Sequence, residues 1–440
     1  MSKKIIGFLV CLVLVLNFIP VTKSVILSNN NDLLDGGWVE ECNGIKIVHL
    51  KGSFYEMGYQ QGYLLKYDIL QNLRGFFSCI DSYDDLLEQW NIQKNYTSEN
   101  VLKFIRGIAD GADVSPEVMG CMWIWDEYLY GKMGNPWEDC LYSHCSTLAA
   151  WGQATQSNEL IHVHSFDMPS DIKDPITGIN ILEKPVLIVA DPDEGYGFMY
   201  PSFAGFIAAG GVNERGISIS MAGSFNSDVT KYGTPYNIRI FEALYSASNS
   251  NKAIEIVTTN ETFGLIYFIC DGDIPVGYVV ETTSNLTYVG TWDDSTESNR
   301  PFWQIDHVIR RTNCFINYKT TETQRKFYHP GDIRYLIRGH KGLFYAWNHY
   351  KAISKGCERH WGKLDLQLLM EVFRNVYRGR YGIIWFFIRI QSAMPWPWFQ
   401  WVCCPKTGDM LISYSDGERS SEYNPVHHFN LFKLLNSNSP

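Results

Sequence analysis

Apolar residues recur at helical spacing through "GSFYEMGYQQGYLLKYDILQNLRGFF", residues 52–77, behind Ser53, whose hydroxyl suits an N-cap. "NVLKFIRGIADGAD" and "SPEVMGCMWIWDEYLY" follow the same period, and in the latter Ser115 suits the cap and Pro116 the first turn. From Cys145 the period shortens. "CSTLAAWG" and "LIHVHSFD" flank the polar turn "QATQSNE" and predict a hairpin. "PVLIVADP", "FMYPSFAGFIAAGGVNERGISISMAG", "FGLIYFICDGD" and "GYVVETTSNLTYVG" predict further strands joined by Gly, Asp and Asn turns. In "GISISMAG", Ile217, Ile219 and Met221 alternate with Ser218 and Ser220, the pattern of a half-buried strand. Helical spacing returns in "YNIRIFEALYSASN", "SNKAIEIVTT" and "KLDLQLLMEVFRNVYRG", and residues 395–414 are again strand-like. Residues 25–36 predict a mobile N-terminal stretch. The order of helices, strands, helices and strands predicts an α+β fold, its sheets packed together with helices outside.

Composition narrows the class. The 440 residues are 45% hydrophobic and 19% charged, enough apolar material for one large domain or two to three smaller ones. The net charge of −10 comes without a basic stripe, which argues against a nucleic-acid partner. The start of the chain points to a compartment. "MSKK" is cationic, "IIGFLVCLVLVLNFIP" is shorter than the ~20 residues of a membrane span, and Ser24 in "VTKS" offers a small residue for cleavage. Residues 1–24 therefore read as a secretory signal peptide, and the mature protein is expected to be secreted or lysosomal. Sequons at Asn95, Asn260 and Asn285 fit that route and are expected on exposed loops as N-glycosylation sites. Ten of the 11 cysteines remain after Cys11 leaves with the signal, and in an oxidising compartment some are expected to pair.

The chain contains no phosphate-binding glycine loop, no G-x-S-x-G, no H-E-x-x-H and no C-x-x-C. His162 and His164 share a strand face and His427 and His428 are adjacent, but no carboxylate or cysteine stands at ligand spacing, so no metal and no cofactor are expected. Cys145 stands out. A nucleophilic cysteine needs a base, an oxyanion donor and access. A papain-like cysteine opens a helix, whereas Cys145 opens a strand. Cleavage of the bond before it would free an α-amino group of pKa near ~8 to act as base for a thiol near ~8.5. The other reading of Cys145 is a structural or disulfide-bonded cysteine, and the residues around it leave both open.

Five segments, in order, resemble the acyl-coenzyme-A:6-aminopenicillanate acyltransferase family of N-terminal-nucleophile (Ntn) cysteine hydrolases. Acid ceramidase and the bile-salt and penicillin V amidases are more distant relatives of that family. "LKGSFYEMGYQQGYLL" resembles the family's leader, with Gly52, Gly58 and Gly62. "CSTLAAWGQATQSNELIHVHSFDM" resembles its nucleophile hairpin, which usually closes in R-N-x-D. "GGVNERGISIS" resembles its G-x-N-E-x-G strand entry, "TPYNIRIFEALYSASNSNKAIEIV" its V-P-x-x-x-R helix, and "RTNCF" its T-N-H-F segment.

The resemblance implies a four-layer α-β-β-α Ntn sandwich preceded by a helical pro-segment. It implies self-cleavage between His144 and Cys145, giving a light chain of residues 25–144 and a catalytic heavy chain of residues 145–440 that stay associated. Cys145 would be the nucleophile and Asp167 the carboxylate that holds its α-amino group. Asn213 would supply an oxyanion donor, Arg239 would steady the site or a substrate carboxylate, and Asn313 is a further candidate amide. His164 stands where the family has Arg and could do that work as a cation in an acidic compartment. The implied reaction is hydrolysis of a linear amide, or transfer of its acyl group, through a Cys145 thioester. Substrates would be small-molecule or lipid amides such as N-acyl amines or ceramide-like lipids. Two alternatives stand beside it: a phospholipase-B-like lysosomal esterase or amidase, and a secreted binding or storage glycoprotein impaired through His164.

Overall fold

The computed structural model describes residues 30–132, 145–224, 226–324, 341–381 and 396–437. The expected signal peptide at residues 1–24, Cys140 and His144 lie outside the described residues. Thirteen helices lie within them: α1 (Asn30–Leu33), α2 (Phe54–Leu64), α3 (Lys66–Phe77), α4 (Tyr83–Gln93), α5 (Glu99–Ala112), α6 (Pro116–Trp123), α7 (Trp125–Lys132), α8 (Tyr236–Ser246), α9 (Ser250–Val257), α10 (Tyr318–Gln324), α11 (Lys341–His360), α12 (Leu366–Tyr377) and α13 (Leu431–Leu435). None is long and apolar enough to cross a membrane.

Two sheets form the centre. The nine-stranded sheet contains β1 (Trp38–Cys42), β2 (Ile45–Gly52), β5 (Pro185–Pro192), β6 (Phe198–Phe203), β7 (Gly210–Asn213), β8 (Ile217–Gly223), β9 (Leu265–Asp271), β10 (Val276–Thr282) and β11 (Thr287–Gly290), in that spatial order. The six-stranded sheet runs β12 (Val308–Arg311), β3 (Ser146–Gly152), β4 (Asn158–Met168), β13 (Trp396–Cys404), β14 (Asp409–Tyr414) and β15 (His427–Asn430). The chain is thus a mixed helix and sheet protein with large sheets, as its patterning predicts. The β1–β2 hairpin and the long helix α11 carry no pattern that predicts them.

Caps and turns follow local chemistry. Ser53 accepts from the Glu56 backbone N–H while the Glu56 carboxylate accepts from the Ser53 N–H, a reciprocal capping box opening α2. Ser115 caps α6 ahead of Pro116. The leader glycines have a packing cause. A Cβ on Gly58 would lie 2.2 Å from the Phe104 carbonyl oxygen, and one on Gly107 would lie 2.2 Å from that of Tyr55. Gly62 and Gly111 repeat the arrangement one turn on, so α2 and α5 lie backbone against backbone.

The two sheets face each other through a polar seam. His162 on β4 bonds to Ser218 through Nδ1 and to Ser220 through Nε2, both at 2.7 Å, and Thr147 on β3 reaches Ser220 at 2.5 Å. The half-buried strand expected at 217–223 is therefore buried on both faces, and its serines point inward, toward the second sheet. They are tolerated because each meets a partner.

Candidate active site

Cys145 is fully buried where the chain enters β3, the strand that begins at Ser146. Its neighbours follow from register. Ser146 pairs with Ser165 and Thr147 with His164, so Cys145 comes opposite Phe166 on β4. On its other side β12 pairs with β3, Arg310 opposite Leu148 and Arg311 opposite Thr147. The ladder ends at Arg311, and Asn313 follows two residues on, in a bend where the Cys314 N–H donates to the Thr312 carbonyl at 2.7 Å. The Asn313 side-chain amide donates to the Gly223 carbonyl at 2.8 Å, which ties it to the end of β8. The Cys145 Sγ lies 4.0 Å from the backbone carbonyl oxygen of Asp167.

Asp167 stands at the close of the hairpin, fully buried, where β13 bulges past it between Pro397 and Phe399. Side chains alternate along a strand. Ser146, Ser165 and Asp167 accordingly face helix α12. The Asp167 carboxylate accepts from the Ser165 hydroxyl at 2.7 Å and from the Tyr377 hydroxyl at 2.6 Å. Tyr377 also meets the Ser146 hydroxyl at 3.0 Å, and the Gln400 amide donates to Ser165 at 3.2 Å. Sequence patterning did not single out Tyr377, Ser146, Ser165 or Gln400. Tyr377 ends an amphipathic helix and carries no mark that distinguishes it from a core residue.

His164 faces the other way, into the space between the sheets. Its Nε2 bonds to the Met221 carbonyl oxygen at 2.8 Å, Nδ1 has no hydrogen-bond partner, and Phe166, Phe399 and Trp401 surround the ring. Burial drives its pKa down to about 3, only partly opposed by the Met221 bond. His164 is neutral throughout the acidic range of a lysosome, so the expectation that it replaces an arginine as a low-pH cation is corrected. It is a buried acceptor-bound ring of the inter-sheet seam.

Two further candidates lie elsewhere. Asn213 donates to the Leu244 and Ala247 carbonyls, both at 2.9 Å, and accepts from the Arg215 and Ile217 backbone N–H groups, both at 3.0 Å. These bonds tie the β7–β8 turn to the end of α8. That turn is six residues from Gly223, about 20 Å along β8 at the usual strand rise. Asn213 is therefore a turn-and-cap residue and does not reach Cys145. Arg239 lies on the helix-covered face of the nine-stranded sheet, its Cζ 5.6 Å from the Tyr267 ring centroid. Phe268, the next residue on β9, stacks on His162 across the seam, so the sheet itself separates Arg239 from Cys145. Arg239 donates to the Val257 carbonyl at 2.6 Å. Its charge opposes burial at Glu127 and Glu261, whose carboxyls burial pushes up, Glu261 to about 7.

The nine described cysteines form no disulfide, contrary to the pairing expected of a secreted chain. Among the described residues no three His, Cys, Asp or Glu side chains cluster as metal ligands. Asn95, Asn260 and Asn285 are all exposed.

No family model matches the chain. It is 22% identical over 285 residues to Protein dcd1A of Dictyostelium discoideum, covering 58% of this chain and 62% of that protein. It is 28% identical over 208 residues to an uncharacterized protein of Archaeoglobus fulgidus, covering 41% of this chain and 33% of that protein. The chain thus spans less than two thirds of the length of these curated relatives. Among solved structures it is similar to a variant of the conjugated bile acid hydrolase of Clostridium perfringens, with a TM-score of 0.41 at 12% identity over 66% of this chain and 93% of that one. It is also similar to the penicillin V acylase of Agrobacterium tumefaciens, with a TM-score of 0.40 at 13% identity over 66% of this chain and 87% of that one.

Proposed function

We propose that this chain is an autoprocessing amide hydrolase of the Ntn type, with Cys145 as nucleophile and its two facing sheets as the middle layers of an α-β-β-α sandwich. The observation that carries the reading is the register at the head of β3. It brings the start of β3 beside the Phe166–Asp167 end of β4, with Sγ 4.0 Å from the Asp167 carbonyl oxygen, while Asn313 follows two residues after β12, the strand that pairs with β3 on the other side. A buried cysteine immediately before an interior strand, close in the chain pairing to Asp167 and with Asn313 just past the neighbouring strand, has candidates for the parts that thiol acyl transfer needs.

In the processing step the Cys145 sulfur adds to the His144 carbonyl carbon. The C–N bond breaks as the thiol proton passes to the departing α-nitrogen, and water then cleaves the thioester to free the Cys145 thiol and a His144 carboxylate. In turnover the same thiol attacks a linear amide. Its proton goes to the leaving amine, the acyl group stays on sulfur, and water or a second amine removes it. The freed α-amino group of Cys145 serves as base, Asp167 holds that group by a charged hydrogen bond, and Asn313 stabilises the oxyanion. Acylated amines and lipid amides are the proposed substrates. Secretion with glycans at Asn95, Asn260 and Asn285 is part of the proposal, and the exposure of all three supports it.

The test is N-terminal sequencing of the purified full-length protein after incubation at acidic pH. A fragment beginning at Cys145, lost in Cys145→Ala, is the expected result. A wild-type chain that stays intact, or a Cys145→Ala chain cut at the same bond, overturns the reading.

A further inference from the structure

The Tyr377 hydroxyl touches two residues that the proposed chemistry needs in fixed relation: Ser146, which follows the nucleophile, and Asp167, the carboxylate meant for the nucleophile's amine. The distances are 3.0 Å and 2.6 Å, and all three side chains are buried. A phenol has one proton to give. Asp167 as a carboxylate can only accept, so Tyr377 donates to Asp167 and accepts from Ser146. On the other carboxylate oxygen a second chain runs from the Gln400 amide through the Ser165 hydroxyl. Helix α12 thus reaches across the outer face of the six-stranded sheet to fix both the start of β3 and the end of β4.

We propose that Tyr377 is a positioning residue of the Cys145 site: its hydroxyl clamps Ser146 to Asp167 and so sets the distance between the Asp167 carboxylate and the Cys145 α-amino group. This rests on the amide-hydrolase reading above. Burial, then the Asp167 charge, hold the Tyr377 hydroxyl well above its ordinary range, so the clamp keeps its proton at every working pH. The titratable groups against it include Asp167 on β4 and His349 on α11, whose ring lies 4.6 Å from that of Tyr377.

Tyr377→Phe keeps the ring and removes only the hydroxyl. The first readout is the rate of cleavage before Cys145. The second is the pH midpoint for carbamylation of the Cys145 α-amine by cyanate in the cleaved, two-chain protein, followed by mass spectrometry. The expected result is cleavage slowed about tenfold or more, with the midpoint lowered by at least about half a pH unit toward the free value near ~8, because a loosened carboxylate stabilises the ammonium less. Ser165→Ala, which removes the other hydroxyl donor to Asp167, is expected to lower the midpoint in the same direction and decides the matter if Tyr377→Phe does not fold or does not cut. Slower cleavage with an unmoved midpoint in both variants assigns Tyr377 to packing and overturns the proposal, as does wild-type behaviour in both readouts. A wild-type chain that never cuts before Cys145 overturns the hydrolase reading and this inference together, whereas a cutting wild type with unmoved variants overturns this inference alone.

Discussion

His164 on β4 donates through Nε2 to the Met221 carbonyl of β8 at 2.8 Å, a bond that joins the two sheets about the seam. This contact decides what His164 does. A ring whose pKa is held at about 3 by burial binds its proton far more weakly folded than unfolded, where the value is near ~6.5. Between those values the unfolded chain holds more protons, so His164 contributes stability above about pH 6.5 that is lost as the pH falls toward 3. His164→Phe is expected to unfold at a lower temperature than wild type at pH 7, for want of the bond. The gap should narrow or reverse at pH 4.5. Thermal unfolding of both chains at the two pH values checks this. A gap that widens in acid would mean that His164 is charged in the folded state.

Asn213 and Asn313 differ in what they hold, and their substitutions should separate. Asn213→Ala leaves two carbonyls and two backbone N–H groups unmet beneath a turn whose tip, Glu214 and Arg215, is exposed, at about 1–3 kcal/mol for each group that water cannot reach. Its effect should be on unfolding temperature, with cleavage before Cys145 continuing below that temperature. Asn313→Ala is expected to slow cleavage about 100-fold, the usual loss of an oxyanion donor. Arg239→Gln should behave like Asn213→Ala, since it uncovers buried carboxylates and touches nothing at Cys145. The rate of cleavage at a temperature where all three variants remain folded is the deciding measurement.

The helix glycines give a prediction that also shows what patterning can reveal. Gly58→Ala or Gly107→Ala places a methyl group against a backbone carbonyl that cannot swing aside. Forcing α2 and α5 apart should cost about 1–3 kcal/mol or more in chemical denaturation. Gly178→Ala, with open space at its Cβ, is the control for glycine replacement itself, although its φ of +75° adds strain of its own.

Gly58 and Gly62 were legible only as glycines of the leader segment, and Gly107 and Gly111 not at all. The apolar period around them marked helices, but only the partner helix explains why no side chain fits at these positions. The β3–β4 hairpin behind Cys145 was legible from end to end because strand alternation and a polar turn are local signals. The strands β1 and β2 were missed because a short run such as "IKIVHLKG" has apolar and charged residues mixed, and pairing with β5 decides its fate. Asn213 and Asn313 show the limit most clearly. Both sit in short polar turns beside strands, and a single chain cannot say which end of a sheet a turn occupies. Tyr377 is 210 residues from its partner Asp167, and no spacing rule connects them.

Asn313 is also held from behind, by a buried ion network that can be broken without touching Cys145. Arg311 bonds to Glu281 at 3.0 Å and to Glu297, with all three side chains almost fully buried. Glu281 accepts in addition from the backbone N–H groups of Ile316 and Asn317 and from the Thr320 hydroxyl, so one carboxylate on β10 anchors the segment that follows Asn313. Glu281→Gln keeps the shape but removes a charge from Arg311 and turns an amide N–H toward groups that are themselves donors. Breaking a buried pair from one side typically costs about 3–5 kcal/mol. The expected outcome is a lowered unfolding temperature together with slowed cleavage before Cys145 at temperatures where the protein is still folded, the second effect absent in Arg239→Gln. Cleavage at the wild-type rate in a folded but destabilised Glu281→Gln would show that Asn313 keeps its place without the anchor.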